Sequence, residues 1–72
     1  MITEKVGQRI KTLRKIKGLS QEKLALKADI DRTYLAGVEQ GKRNASLKSL
    51  EKIIIALDIT VEEFFKNMWC WL

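Results

Sequence analysis

The chain has 72 residues, of which 46% are apolar, with no proline, no histidine and a net charge of +5. That suffices for one small domain and is too apolar for a disordered tail, although a core of this size is marginal without tight helical packing, a staple or a partner. A lone cysteine, Cys70, closes no intrachain disulfide, and without histidine no Cys/His zinc set can form; no metal or cofactor is expected, and a reducing, cytoplasmic compartment is the default.

No apolar run approaches the roughly 20 residues that span a bilayer, and Thr3, Glu4 and Lys5 follow Ile2 too soon for a signal-peptide core. No membrane partner and no small-molecule ligand are expected. Residues 1–17 hold six Lys/Arg against one acid, Glu4, while the remaining 55 residues balance eight bases with eight acids. A basic element on a neutral body suits a polyanionic partner; a solvated helix face has the same composition. Four glycines and no proline favour helices closed by short turns over an all-β fold.

Val6, Ile10 and Leu13, with Ile16 close behind, predict helix 1 over Glu4 to Lys17, capped by Thr3 and closed by Gly18. Ser20 caps a short helix 2, Gln21 to Ala28, whose inward side is Leu24, Ala25 and Ala28. In the turn Asp29-Ile30-Asp31, Asp29 tolerates the left-handed conformation, Ile30 is an apolar plug and Asp31 caps the next helix. Helix 3 runs from Arg32 to Gln40 with Leu35 and Val38 inward, and stops at Gly41. A polar loop, Lys42 to Ala45, leads to Ser46, which caps helix 4 with its face of Leu47, Leu50, Ile53, Ile54 and Leu57. After Asp58-Ile59, Thr60 and Glu63 stand at capping-box spacing, so helix 5 begins at Val61 and brings in Phe64 and Phe65. The tail Met68 to Leu72 continues that helix or frays. The expected fold is all-α: five helices in one domain, residues 1–72, with 61–72 as a dimerisation element.

Helices 2 and 3, joined by a three-residue turn with an apolar plug, have the geometry of a helix-turn-helix. Ala25 and Ala28 are the small residues that let the two helices cross closely, and the second helix can then project its N-terminal side chains into a DNA major groove.

At this point the chain resembles a known family. Gly18 to Glu22 with Leu24-Ala25, then Arg32 to Leu35, then Val38 to Asn44, resemble the lambda-repressor-like (XRE, Cro/CI type) DNA-binding domains. Ser46-Leu47 and Leu50 to Leu57 fit that family's fourth helix, and the likeness runs over roughly residues 5 to 65. The stretch Asp31 to Glu39 is similar to one subgroup, the controller proteins of restriction–modification systems. The resemblance implies a homodimer on paired operator half-sites near its own promoter, activating at one occupancy and repressing at another. It also implies pairing of Glu39 with a helix 1 arginine, for which Arg14 is the choice. Asp29 stands where the wider family often has glycine, Ala45 where it often has proline, and Ala36 where the subgroup often has serine.

Arg32 and Thr33 open helix 3, where side chains point along the helix axis, and arginine can bond guanine O6 and N7 with both prongs. They are the first base-reading candidates, with Ala36 and Gly37 as the small face beside them. A glycine inside a helix costs about 1 kcal/mol relative to alanine, so Gly37 answers to close approach either of DNA or of helix 2. Tyr34 offers its hydroxyl to a phosphate or its ring to the core. Gln21 can reach a phosphate beside the free N–H groups of helix 2, and Gln40, Lys42, Arg43 and Asn44 flank the groove as backbone clamps. Arg9, Lys11, Lys15 and Lys17 read as a long-range attractive field on a mostly solvated face.

The apolar surplus points to a second copy. Leu26 and Ile55 fall where a monomer shows water a polar residue, and Phe64, Phe65, Met68 and Trp69 add area beyond what so small a body buries. A two-fold homodimer through Ile55, Phe64, Phe65, Met68 and Trp69 would cover it, although some of these rings can complete the monomer core instead. Catalysis has no foothold: there is no histidine, no phosphate-cradling glycine loop and no base near Cys70. The competing readings are an antitoxin-type helix-turn-helix protein, whose tail aromatics would contact a toxin, and a phage-type repressor.

Overall fold

Short polar side chains open most helices of this chain, and the same turn recurs between them. A computed structural model describes residues 2–66. It contains α1 (Ile2–Ile16), α2 (Gln21–Ala28), α3 (Arg32–Glu39), α4 (Leu47–Ala56) and α5 (Val61–Phe65), with no strand among the described residues. Ser20, Asp31, Ser46 and Thr60 accept hydrogen bonds from the N–H groups of Lys23, Thr33, Ser49 and Glu63, respectively, so four helices open on a side-chain cap. Glu63 reciprocates toward Thr60, closing the capping box.

Four helices end on one residue in the left-handed region: Gly18, Asp29, Gly41 and Asp58, with φ of 72°, 57°, 76° and 61°. Behind all four lies the same pair of backbone bonds, which at Gly41 runs from Gly41 and Lys42 to Val38 and Gly37. After α1, Gly18 N–H donates to Lys15 C=O and Leu19 N–H to Arg14 C=O, both at 3.0 Å. The equivalent bonds run from Asp29 and Ile30 to Leu26 and Ala25, and from Asp58 and Ile59 to Ile55 and Ile54. Three connectors are therefore one device: a left-handed residue, an apolar plug, then the next cap. They read Gly18-Leu19-Ser20, Asp29-Ile30-Asp31 and Asp58-Ile59-Thr60, and Leu19, Ile30 and Ile59 all pack against the core. The connector after α3 departs from the pattern. Gly41 turns the chain in the same way, but Lys42, Arg43, Asn44 and Ala45 intervene before the Ser46 cap.

Helix α1 starts at Ile2, two residues before the expected Glu4, so Thr3 is inside the helix and does not cap it. Helix α3 ends at Glu39, with Gln40 as its C-cap. The core is formed by Ile10, Leu24, Leu35, Val38, Ile53, Leu57 and Phe64, all fully buried, with Ala25 and Ala28 where α2 meets its neighbours. Phe64 at 0% exposure corrects its expected place on a dimer face: its ring completes the monomer core, and Phe65, half-buried, meets it edge-on at 5.0 Å.

Two contacts of α1 lie beyond periodicity. Gly7 is the point at which α1 touches the end of α3: a Cβ there would stand 2.2 Å from the Val38 carbonyl oxygen and 3.0 Å from that of Glu39. Arg9, expected on the solvated face, instead donates to the Phe64 and Glu63 carbonyls at 2.9 Å each, satisfying the C-terminal end of α5. Gly7→Ala should destabilise the fold by about 1–3 kcal/mol or more, because the obstruction is backbone and cannot swing aside. Urea denaturation reads the loss directly; an unchanged midpoint would show that α1 and α3 can part without penalty.

Candidate nucleic-acid interface

The α2–turn–α3 unit fixes where the first residues of α3 point. Leu24, Ala25 and Ala28 on one helix and Leu35 and Val38 on the other are buried together, and Ile30 plugs the turn. Asp31 accepts the Thr33 N–H at 3.1 Å, which leaves Arg32 and Thr33 as exposed side chains on a capped helix end. Ala36, one turn on, is half-buried.

The far end of α3 is anchored by charge. Glu39, 6% exposed, accepts from Arg14 Nε at 2.8 Å and Nη2 at 3.1 Å, a two-pronged pair joining α3 to α1. Arg14 Nη1 donates to the Leu19 carbonyl at 2.9 Å, and Gln21 Nε2 donates to Glu39 Oε1 at 3.1 Å. Four segments thus meet at one ion pair: α1, the first connector, the start of α2 and the end of α3. The Arg14–Glu39 pairing expected from the family pattern is present. Gln21, expected at a DNA phosphate, is half-buried and gives one amide N–H to Glu39.

The loop after α3 carries the exposed polar set. Gln40, Arg43, Asn44 and Lys42 all lie at the surface, and Lys42 and Arg43 N–H groups both donate to the Gly37 carbonyl, at 3.0 and 3.2 Å. The Arg43 stem lies along Gly37, where a Cβ would meet Arg43 Cγ and Cδ at 3.2 Å, and its guanidinium sits 5.5 Å from the Tyr34 ring centroid. A side chain at position 37 would press on the Arg43 stem, which is one reason for glycine inside α3 beside the close approach of DNA expected from the sequence. Tyr34 is half-buried, and its hydroxyl accepts from Ser46 N–H at 3.3 Å and donates to the Asn44 carbonyl at 3.5 Å. The Ser49 hydroxyl, then the Ser46 groups and the Arg43 charge, hold the Tyr34 phenol below its ordinary range, with burial opposing them. Tyr34 thus ties the loop to the cap of α4.

Electrostatics favour an anion at this face. Within residues 31–44 the acids are Asp31, which caps α3, and Glu39, which is buried against Arg14. Arg32, Lys42 and Arg43 outnumber them, and the Glu39 charge is already met by Arg14. Sequence reasoning missed Thr3, whose hydroxyl donates to the Asn44 side-chain oxygen; a threonine read as a cap gave no sign of a partner 41 positions away. Elsewhere on the surface, Ile55 is 68% exposed, with Leu26 and Val61 also exposed, whereas the expected interface residues Met68 and Trp69 lie outside the described residues.

Residues 10–64 match the family described as Helix-turn-helix. The control protein C.MunI of Mycoplasma sp is 51% identical over 63 residues, spanning 86% of this chain and 85% of that protein. The crystal structure of the restriction-modification controller protein C.AhdI from Aeromonas hydrophila aligns with a TM-score of 0.84 at 51% identity, over 88% of this chain and 96% of that one. A tetramer of the controller protein C.Esp1396I, in complex with its natural 35 base-pair operator, aligns with a TM-score of 0.91 at 40% identity, over 97% of this chain and 92% of that one.

Proposed function

This chain belongs to the helix-turn-helix family and, within it, to the control proteins of restriction–modification systems, and from that premise we propose that it is a sequence-specific DNA-binding regulator of transcription. It acts as a homodimer on paired operator half-sites at its own promoter, in the cytoplasm where that DNA lies, controlling a restriction–modification operon as activator at one occupancy and repressor at another. The observation that carries the reading is the exposed pair Arg32 and Thr33 at the capped tip of a helix whose other end is clamped by the buried Arg14–Glu39 pair. Such a tip reaches base edges in the major groove, with arginine bonding guanine, while Ala36 leaves room for close approach.

Lys42, Arg43, Asn44 and Gln40 hold backbone phosphates on the flank of the groove, supported by the α2 N–H groups above Gln21. Gly37 seats Arg43 and, with Ala36, keeps this face of α3 small enough for the bases to approach. One such helix reads too few base pairs to specify a unique site, so a symmetric pair is required. The dimer forms through Ile55 and Phe65 at the α4–α5 end, together with the 67–72 segment that holds Met68 and Trp69.

Replacing Arg32 with alanine should cost about 1–3 kcal/mol of binding to the DNA upstream of the protein's own gene and relax the preference at one base position. Titrations against a set of single-base variants check this, and an equal loss on every sequence would reassign Arg32 to phosphate. Ile55→Glu should convert the dimer to monomer in sedimentation at micromolar protein, since a charge buried against a second copy at this exposed apolar position has no partner to meet. An undisturbed dimer would move the interface off α4.

A further inference from the structure

We infer that Thr3 is a positioning residue for the loop after α3: it engages the Asn44 side-chain oxygen and so leaves the Asn44 amide N–H groups for a phosphate of the DNA backbone. The inference rests on the reading of residues 40–44 as backbone clamps. A carboxamide has an acceptor end and a donor end, and only the donor end can bind an anion. An unrestrained asparagine on an exposed loop presents either. Here the acceptor is occupied, because the Thr3 hydroxyl donates to Asn44 Oδ1. The backbone carbonyl of Asn44 is held separately by the Tyr34 hydroxyl, so the residue is restrained at both its main chain and its side chain.

Independent contacts place the whole loop on the first turn of α1. A Cβ at Gly41 would lie 2.8 Å from Glu4 Cγ and 3.3 Å from Glu4 Cα, so the loop enters across the α1 backbone. Its other end closes a cleft against α1 in which Ile2, Thr3 and Val6 face Arg43, Asn44 and Ala45. The earlier start of α1 is what makes this possible. As a helical residue, Thr3 has a β-branched side chain confined to few rotamers, and its hydroxyl reaches Asn44 instead of capping a helix.

The test compares Thr3→Val, Thr3→Ser and Arg43→Ala in the full chain, using a random-sequence DNA duplex titrated over a range of salt concentrations. Thr3→Val keeps shape and charge and removes only the donor, so binding should weaken about three- to tenfold, the range for losing one neutral hydrogen bond. Its salt slope and its melting temperature should both stay at the parent values, because no cation is lost and the contact is exposed. Thr3→Ser should restore affinity. Parent affinity in Thr3→Val, a loss that follows a fall in melting temperature, or failure of Thr3→Ser to rescue would each overturn the inference. Arg43→Ala should reduce the salt slope by about one unit, as loss of one cation–phosphate contact requires. An unchanged slope there would overturn the clamp reading itself, so the two failures are distinguishable.

Discussion

The structure turns on the buried pairing of Arg14 with Glu39. In so small a body an ion pair removed from water is a costly contact, and only complete hydrogen bonding makes it tolerable. Here the guanidinium gives both prongs to the carboxylate and a third N–H to the Leu19 carbonyl, while the carboxylate takes a further bond from Gln21. Among the described residues no buried side-chain polar atom lacks a partner. An apolar pair of similar volume could fill the same space, but it would slide. The fork accepts one geometry, and that geometry sets the angle at which α3 leaves the body and hence where Arg32 and Thr33 stand.

The connectors show how a chain of this length accommodates a functional loop. Three of them repeat one compact solution, in which a left-handed residue, an apolar plug and a cap complete the turn in three positions with little exposed backbone. The one that is extended bears Lys42, Arg43 and Asn44. Its additional length is not left loose: Gly37 seats the Arg43 stem, Tyr34 ties the loop to the α4 cap and Gly41 crosses the α1 backbone. Polar reach toward a partner is thereby obtained on a loop whose conformation rests on three neighbouring helices.

Much of this is legible in the amino-acid order alone. Ser20, Asp31, Ser46 and Thr60 are short polar side chains ahead of apolar periods, and their capping is a local property that sequence spacing expresses. The left-handed turn at Asp29 is equally readable, since a three-residue connection between helices needs such a residue. The features that escape are long-range. Gly7 reads as a weak helix former until the Val38 carbonyl is found beside it. Arg9 looks like a surface residue of a basic helix and Thr3 like its cap, yet their partners, the α5 carbonyls and Asn44, come from distant parts of the chain. Phe64 is misplaced for a related reason: an apolar surplus can be counted from composition, but which rings face inward depends on how α5 meets α4.

The most direct test of the central claim is the DNA affinity of Glu39→Gln, measured well below its melting temperature so that every molecule is folded. The substitution keeps the shape of the side chain and removes the charge that orders the fork. Weaker binding to the DNA upstream of the gene, with reduced discrimination against random sequence, is the predicted result. Parent affinity and parent discrimination in the fully folded variant would contradict the account, because the tip of α3 would then hold its position without the clamp.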